Sequence, residues 1–452
     1  MATLMFSISG LRGIVGNGLD PESIVKYTSA FADFTGKGKI IVGRDSRISG
    51  EMVRNICVGT LLAKGLDVID IGICPTPTVQ YTVKSEKASG GIAISASHNP
   101  NEWNALKLMN SSGQFLSPEE FSLLNNLVNS TQNKFKIWNE LGKYSYYANG
   151  ISVHKNAVLN LKHIDVAAIK KRKFRILVDC VNGAGFKIVP ELLRDLGCDV
   201  IEMNCDSSGI FPRLPEPLPE NLTTTMKAVK DSNADLGVVV DPDVDRLVLI
   251  TDKGEPFSEE NTVALAVKFI LSKEKGNVVV NLSTTRGVED IASTYGCKVF
   301  RSPVGEANVV KLMKEVNAII GGEGSGGVIY PELHYGRDAL VGIAITLQQL
   351  LEFGGTMDAL KKTLPQYSVV KKKIGLTNKN PDEIIDLLYN RFHGEQINKD
   401  DGLRIDFPDH SAHFRKSITE PLIRLIVEAK SGDIAGNYMD NYMGILSTIV
   451  EG

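Results

Sequence analysis

FRILVDC (174–180) and DVIEMNC (199–205) flank the stretches VNGAG (181–185) and KIVPELLRDLG (187–197), and DLGVVV follows at 235–240. The first, second and last of these runs are short, apolar and rich in β-branched residues, which is typical of buried strands. KIVPELLRDLG has the amphipathic pattern of a helix. A strand, a glycine-rich loop, a helix and a second strand predict a βαβ unit on a mostly parallel sheet.

The same pattern occurs before and after this segment. The earlier copy contains KIIVG (39–43), DVIDIG (67–72) and GGIAIS (90–95), and the later copy contains NVVVNLS (277–283) and AIIGG (318–322). After about residue 366 the order changes to a helix followed by several strand-like runs, which is typical of an α+β module. We therefore predict four domains, with the boundaries 1–149, 150–253, 254–365 and 366–452.

Composition excludes several classes of protein. The chain has 452 residues, with 50 Lys and Arg against 53 Asp and Glu, so its net charge is −3 and we expect no nucleic-acid partner. No apolar run reaches the roughly 18 residues of a membrane span, and the opening MATLMFSISGLRG does not resemble a signal peptide. The six cysteines form no C-x-x-C pair. We expect a reduced, cytoplasmic protein without a disulfide framework or a structural zinc site.

The most informative loop is DPDVDR (241–246), directly after DLGVVV. Asp241, Asp243 and Asp245 stand at alternate positions and can converge on one hard divalent cation such as Mg²⁺, which prefers oxygen ligands. An EF-hand loop is excluded because Arg246 stands where that loop needs glycine. Without a cation, three carboxylates at a buried strand end would repel one another. The loop therefore indicates a magnesium site.

A second loop, ASHNP (96–100), follows the run GGIAIS. Ser97 is placed to project a hydroxyl from a tight turn at a strand end, although such a stretch is also common as an ordinary turn. An α/β-hydrolase elbow is excluded because G-x-S-x-G is absent. A phosphorylated Ser97 would supply an anionic ligand if the aspartate loop faced it.

Two further loops carry polar groups among glycines or arginines. GGEGSGG (321–327) matches G-x-G-x-x-G, but no helix follows it, so we reject a dinucleotide site; Glu323 and Ser325 are instead candidate partners of sugar hydroxyls. RKSITEP (415–421), with Arg424 beyond it, combines arginines and hydroxyls as an anion-binding loop does. A plain glycine turn and a solvated charge cluster are the respective alternatives.

Taken together, ASHNP, DPDVDR, GEGSG and RKSITEP resemble, in order and spacing, the motifs of the α-D-phosphohexomutase family of phosphoglucomutases, phosphomannomutases and phosphoglucosamine mutases. One motif falls in each predicted domain, and the resemblance covers the whole chain. It implies a heart-shaped molecule in which three α/β domains, with mixed and mostly parallel sheets, and a C-terminal α+β domain surround a central cleft. It implies an isomerase that interconverts hexose 6-phosphate and hexose 1-phosphate through a phosphoserine enzyme and a 1,6-bisphosphate intermediate.

The resemblance also implies a role for each matching residue. Ser97 would carry the phosphoryl group and would hold Mg²⁺ together with Asp241, Asp243 and Asp245. Glu323 and Ser325 would bind sugar hydroxyls. The non-reacting phosphate would be bound by Arg415, Ser417, Thr419 and Arg424. Proton transfer would involve Arg12 and Lys107, with His98 and Arg246 lining the same site.

Three positions depart from the family pattern. Ala105 follows Asn104 where the family usually has Asn-Gly, Gly327 replaces a usual His in the sugar loop, and Ile418 replaces a usual Gly or Asn. The opening SISGLRGIVG resembles bacterial sequences assigned as phosphoglucosamine mutases. We therefore expect glucosamine phosphate as substrate, with glucose or mannose phosphate as the alternative.

Two other functions use the same residues. A metal-dependent sugar phosphatase would share the phosphoserine but admit water, and it would not be stimulated by a hexose 1,6-bisphosphate, which we expect to activate a mutase. A silent sugar-phosphate-binding relative is disfavoured because Ser97 and all three aspartates are present. As partners we expect only a small phosphosugar, no membrane, and a monomer or homodimer.

Overall fold

The computed structural model describes residues 3–130, 134–376, 379–416 and 422–451. Four β-sheets follow one another along the chain, and each is built from one continuous stretch of sequence. The first stretch contains strands β1 (Met5–Ser7), β2 (Gly10–Val15), β3 (Gly18–Leu19), β4 (Lys39–Arg44), β5 (Asp67–Ile73), β6 (Gly90–Ile94), β7 (Trp103–Met109) and β8 (Tyr144–Tyr146), with helices α1 (Pro21–Thr35), α2 (Gly50–Ala63), α3 (Thr76–Ser85) and α4 (Pro118–Ser130).

The second and third stretches each form a four-stranded sheet. The second contains α5 (Gly150–Leu159), α6 (Val166–Arg172), β9 (Arg175–Asp179), α7 (Gly185–Asp195), β10 (Asp199–Met203), a 3-10 turn (Pro219–Asn221), α8 (Thr223–Asp231), β11 (Leu236–Val240) and β12 (Leu247–Thr251). The third contains α9 (Glu259–Lys273), β13 (Asn277–Asn281), α10 (Gly287–Thr294), β14 (Val299–Ser302), α11 (Glu306–Glu315), β15 (Ala318–Glu323), β16 (Gly327–Ile329), α12 (Ala339–Phe353) and α13 (Met357–Lys361).

The fourth stretch is a five-stranded antiparallel sheet with the order β17-β21-β20-β19-β18. It contains β17 (Ser368–Gly375), α14 (Pro381–Phe392), β18 (Gln396–Asn398), β19 (Leu403–Asp406), β20 (His410–Lys416), β21 (Leu422–Ala429) and α15 (Gly432–Glu451). This sheet has its own hydrophobic core, which includes Leu388, Phe414 and Leu446.

One strand arrangement occurs three times. The orders β5-β4-β6-β7, β10-β9-β11-β12 and β14-β13-β15-β16 each consist of two parallel pairs followed by one antiparallel pair. The connection from the third to the fourth strand of each set carries one of the predicted site loops: Ser97 after β6, the aspartates after β11, and Ser325 after β15. The equivalent position in each sheet therefore supplies one part of the chemistry.

The second and third stretches share one continuous core. Its buried residues include Val178 and Val240 of the second sheet and Val280 and Ile320 of the third. Helix α12 lies almost wholly inside this core; the Asp338 side chain caps its start, and Gly354, in the left-handed conformation, ends it. The main hydrophobic core of the first stretch is separate from this shared core.

The observed architecture confirms the predicted fold class. Three mixed α/β sheets are followed by an α+β unit, and the predicted strands coincide with observed ones to within about two residues at each end. The exact domain boundaries stay predictions. No helix among the described residues is long and apolar enough to span a membrane, and all six cysteines are free.

Candidate active site

Most of the predicted site residues meet at one cavity of about 1100 Å³. All four stretches line it, with Arg12, Ser97, His98, Lys107, Arg246, Glu323, Ser325, Arg415 and Arg424 among the lining residues. The three aspartates of the 241–246 loop are fully buried next to the cavity, and their carboxylates accept hydrogen bonds from Ser97 and Lys107. Ser417, Ile418 and Thr419 lie outside the described residues.

Ser97 is held in a strained turn. Its φ is +50°, in the left-handed region that non-glycine residues seldom adopt. The buried Arg47 guanidinium fixes the turn by donating to the carbonyl oxygens of Ser97 and Pro100, at 2.6 Å each, and Arg47 is itself held by Asp45 at 3.0 Å. The Ser97 N–H donates to the Ser95 hydroxyl at 3.0 Å. The backbone is therefore fixed while the hydroxyl faces the cavity.

The Ser97 hydroxyl donates to Asp241 Oδ2 at 2.7 Å. This contact joins the first sheet to the second across 144 residues of sequence. Asp241, Asp243 and Asp245 each place a carboxylate oxygen within 4.8 Å of the others. The predicted meeting of the serine and aspartate loops is therefore present.

Two cations compensate part of this negative charge. Lys107 Nζ donates to Asp243 Oδ2 at 2.5 Å and to Asp245 Oδ2 at 3.3 Å, and Arg337 donates to Asp245 Oδ2 at 2.6 Å. Burial disfavours the charged ammonium, but the two aspartates outweigh it and raise the pKa of Lys107. Burial likewise opposes ionisation of Asp245, yet Arg337 and Lys107 hold its pKa below the usual range.

The aspartate loop fits a divalent cation. Burial, followed by the Asp245 and Asp243 charges, raises the pKa of Asp241, so the cluster has more negative charge than its neighbours neutralise. Oδ1 of Asp243 and Oδ1 of Asp245 are buried without a hydrogen-bond partner among the described residues. Orphaned buried carboxylate oxygens are costly unless something binds them. Three hard oxygen donors at one point match the preference of Mg²⁺.

Three more predicted residues surround Ser97. His98 Nδ1 lies 3.4 Å from the Ser97 hydroxyl. Burial, together with the Arg246 and Arg12 charges, lowers the pKa of His98 to about 2, so this ring is neutral at physiological pH. Arg12 donates to the Asn99 side chain at 2.7 Å, and the Arg246 N–H donates to Asp241 Oδ1 at 3.2 Å. A negatively charged phosphoryl group at Ser97 would thus meet two guanidinium groups.

Glu323 of the sugar loop is buried at the end of β15. Its carboxylate accepts from Asn281 Nδ2 and from the Gly305 N–H, both at 2.8 Å, and from Arg337 at 2.7 Å. Ser325 is half-buried and lines the cavity. The loop faces the phosphoryl site, as its predicted role in binding sugar hydroxyls requires.

Arg337 is the main residue that the sequence analysis missed. It contacts Asp245 of the aspartate loop, Glu323 of the sugar loop and Glu306 of α11, the last at 3.1 Å. A Cβ at Gly327 would collide with the Arg337 side chain, so the glycine that replaces a usual His makes room for the guanidinium. The available signal was this departure at Gly327, combined with an Arg-Asp pair just before an apolar helix.

The other two departures differ in outcome. Ala105 is buried in β7 and pairs with Arg12 of β2, where an alanine fits a regular strand. Ile418 lies outside the described residues.

Arg415 and Arg424 face each other on neighbouring strands of the fourth sheet. Arg415 pairs with Asp401 at 2.9 Å, its Nε is buried without a partner among the described residues, and Arg424 is exposed. Like charges directly opposite each other destabilise a sheet. Two facing arginines at a cavity wall are therefore suited to an anion between them.

A second buried cluster lies outside the cavity, where α3, α5 and the start of α12 meet. Asp338 Oδ2 pairs with Nε2 of His154 at 2.8 Å and with Nε2 of His334 at 3.1 Å. The other nitrogen of His154 bonds to the Thr78 hydroxyl at 2.9 Å. These contacts connect the first three stretches by a polar network.

Three of the four stretches match models of a known protein family. Family models described as phosphoglucomutase/phosphomannomutase α/β/α domains I, II and III match residues 3–135, 154–254 and 258–367.

The proteins that are similar in sequence are named after different sugar phosphates. The chain is 36% identical over 458 residues to a phosphoglucomutase/phosphomannomutase of Thermococcus kodakarensis, with 99% of each chain covered. It is 34% identical over 450 residues to a probable phosphoglucosamine mutase of Methanopyrus kandleri, covering 99% of this chain and 98% of that one. A crystal structure of a phosphoglucomutase/phosphomannomutase family protein from Burkholderia thailandensis superposes with a TM-score of 0.86 at 25% identity, covering 98% of each chain.

Proposed function

The chain belongs to the α-D-phosphohexomutase family and is an isomerase of the phosphosugar mutase class. On that premise we propose that it interconverts hexose 6-phosphate and hexose 1-phosphate through a phosphoserine at Ser97, with glucosamine phosphate as the preferred substrate and glucose or mannose phosphate as the alternative. One observation carries the proposal: the Ser97 hydroxyl lies 2.7 Å from Asp241, in a cavity that all four stretches line. A phosphosugar can thus contact phosphoryl donor, sugar loop and distal arginines at once.

The reaction consists of two transfers of one phosphoryl group. In the first, the bond between phosphorus and the Ser97 oxygen breaks, a bond to a substrate hydroxyl oxygen forms, and the proton of that hydroxyl passes to the freed Ser97 oxygen. Arg12, His98 and Lys107 assist this proton transfer by hydrogen bonding, and their own protonation states do not change. The resulting 1,6-bisphosphate turns within the cavity. In the second transfer, the other phosphoryl group returns to Ser97, and the freed sugar oxygen regains a proton.

Phosphoryl transfer depends chiefly on positioning and on neutralising spread negative charge. Arg12, Arg246 and Lys107 line the same cavity as Ser97 and supply the positive charge. Asp241, Asp243 and Asp245 would hold Mg²⁺ together with a phosphoserine oxygen. A bound Mg²⁺ would withdraw charge from the phosphoryl oxygens and so stabilise the transition state.

The ends of the substrate have separate binding groups. We assign Arg415 and Arg424 to the non-reacting phosphate, because a phosphate between them would relieve their mutual repulsion and form charge-assisted hydrogen bonds. Ser417 and Thr419 complete this proposed loop. Glu323 and Ser325 bind sugar hydroxyls in either orientation of the intermediate.

Location and assembly stay proposals. Six free cysteines agree with a reducing, cytoplasmic location. A monomer or homodimer is expected, with no partner other than the phosphosugar.

A substrate panel tests the function. Glucosamine, glucose, mannose and N-acetylglucosamine phosphates should be assayed with Mg²⁺, with and without the matching 1,6-bisphosphate. We expect isomerisation that the bisphosphate stimulates, with glucosamine phosphate turned over best. Release of inorganic phosphate that the bisphosphate does not stimulate would show a phosphatase instead, and no turnover of any phosphate would refute the proposal.

A further inference from the structure

Glu260 is a buried carboxyl group at the active-site cavity with no role in the reaction described above. It stands in the first turn of α9 and lines the cavity beside the sugar loop. Its Oε2 accepts from the Thr285 N–H at 3.0 Å. Among the described residues its Oε1 accepts no hydrogen bond, and the nearest cation is Lys371 Nζ at 3.9 Å. One oxygen is thus available to a ligand.

The sugar loop is shaped around this carboxyl group. A Cβ at Gly324, between Glu323 and Ser325, would collide with the carboxylate of Glu260. The space that a side chain at position 324 would need therefore contains a carboxyl group from another element. Glu260 therefore reaches the point at which the loop contacts the sugar.

The charges around Glu260 do not neutralise it. Glu259 and Glu428 lie nearby, and Lys371, the cation nearest to Glu260 among the described residues, is shared with Glu259 at 3.4 Å. Burial, opposed by Lys371 and reinforced by Glu259 and Glu428, raises the pKa of Glu260 to about 8. A carboxyl group in this setting gains most from a ligand that brings its own positive charge.

We propose that Glu260 is a specificity-determining residue that binds the C2 ammonium group of an aminohexose phosphate. This inference rests on the proposed function and names the substrate class of the same site. An ammonium group offers the Glu260 carboxylate a hydrogen bond in which both partners are charged, whereas in a bond from the C2 hydroxyl of glucose or mannose only the carboxylate is charged. Because Gly324 has no side chain, the Glu260 carboxylate can lie beside the sugar loop and select the amino sugar.

The ion pair has a measurable proton balance. A Glu260 that is partly protonated before binding must lose its proton to the solvent when the ammonium group arrives. Both glucosamine 6-phosphate and glucose 6-phosphate carry the same phosphate, so protons exchanged by the phosphate cancel in the comparison. An amino group with a pKa of about 8 is already charged at pH 6.5, so calorimetry at that pH in buffers of different ionisation enthalpy should detect extra proton release with glucosamine 6-phosphate.

The first test uses E260Q with E259Q as its matched control. Both variants remove a carboxylate near Lys371, but Glu259 does not line the cavity. We expect E260Q to lower the ratio of kcat/KM for glucosamine 6-phosphate over glucose 6-phosphate by about 10–100-fold, as loss of one charge-assisted bond predicts. E259Q should keep the wild-type ratio. E260Q should also abolish the extra proton release.

The second test keeps the glutamate at position 260 but displaces its carboxylate. G324A should push the Glu260 carboxylate away from the sugar loop and lower the same ratio, while G324A/E260Q should be no worse than E260Q alone. An unchanged ratio in E260Q, or equal loss with both substrates, would overturn the role of Glu260. That result is distinct from failure of the proposed function, in which the wild type would isomerise neither substrate.

Discussion

The Arg337 side chain passes through the space that a side chain at position 327 would need, because a Cβ on Gly327 would collide with Cγ and Cδ of Arg337. In that position Arg337 donates to Asp245 at 2.6 Å and to Glu323 at 2.7 Å. One guanidinium thus joins the loop proposed to bind the cation to the loop proposed to bind the sugar. The two residues form a unit although nine residues separate them in the sequence.

Coupling between Gly327 and Arg337 gives the first prediction. R337A should reduce kcat/KM by about 10–100-fold, since it removes charge-assisted contacts to two site carboxylates. G327A should cause a similar loss by displacing the side chain. The double variant should be no worse than R337A alone, because the alanine at 327 then has nothing to displace.

A double-mutant cycle in kcat/KM measures this coupling, and thermal unfolding checks that each variant folds. Losses that add in the double variant would show that Gly327 acts independently of Arg337.

Replacing the proposed phosphate carrier gives the second prediction. S97A should fold normally but lose mutase turnover by several orders of magnitude, because no other hydroxyl in the described part of the chain bonds to Asp241. Intact-mass spectrometry should find one phosphate on a fraction of the wild-type protein and none on S97A. S95A, which removes the hydroxyl that supports the Ser97 N–H, should still carry phosphate. Near-wild-type turnover in S97A would eliminate the covalent mechanism.

Weakening the aspartate loop gives the third prediction. D243N should lower Mg²⁺ affinity because one of the three proposed anionic ligands becomes neutral. Loss of a residue that only supports a ligand lowers metal affinity by roughly 10–100-fold, so we expect the loss here to be at least that large. Activity should fall in parallel and recover partly at high Mg²⁺. The control D231N changes an exposed aspartate on α8 and should bind Mg²⁺ as the wild type does. Calorimetric titration with Mg²⁺ gives the affinity, and equal affinity in D243N would place the ion elsewhere.

Much of this arrangement could be predicted from the sequence, because the strands and the loops that follow them are determined by short stretches of residues. β-branched runs such as LGVVV (236–240) fix the strands, and polar residues directly after them must lie at strand ends, so Ser97 and Asp241 were found. The resemblance to a known family then joined loops that spacing alone does not relate.

Other features depend on tertiary contacts that leave no local pattern. Arg337 and Glu260 fill spaces that Gly327 and Gly324 leave open, and a glycine in sequence gives no sign of which side chain will enter its space. The common core of the second and third stretches was also missed, because the apolar patterns of α9 and α12 do not reveal which sheet each helix covers.

The distal phosphate site gives the fourth prediction. R415A should weaken binding of glucose 1-phosphate by about 10–100-fold, since a charge-assisted contact contributes about 1.5–3 kcal/mol. Free glucose has no phosphate, so its weak binding should not change. K416A is the matched control, because the exposed Lys416 alternates with Arg415 along β20 and pairs with Asp382 at 2.6 Å instead. Titrations of both ligands test this, and equal loss for both would make Arg415 a structural residue.

The buried cluster of Asp338, His154 and His334 gives the last prediction, which concerns stability. Burial opposes ionisation of Asp338, yet the two histidines lower its pKa below the usual range. A carboxyl group whose pKa is depressed by folding stabilises the protein above its ordinary pKa, about 3.9, and loses that effect as the pH falls toward the depressed value. D338N should therefore lower the free energy of unfolding at pH 7 by about 1.5–3 kcal/mol.

This difference from wild type should persist down to about pH 5 and shrink below about pH 4, where Asp338 becomes protonated in the unfolded chain. Burial lowers the pKa of His334 and Asp338 opposes that effect, so removing Asp338 adds to the deficit of D338N below about pH 6.5 and cannot cause it to shrink there. D440N removes an exposed partner of Lys372 and should change stability by less than about 0.5 kcal/mol at any pH. Urea unfolding at pH 7, 5 and 3.5 measures all three proteins. A D338N deficit that stays constant to pH 3.5 would show that the ionised carboxylate is not what stabilises this junction.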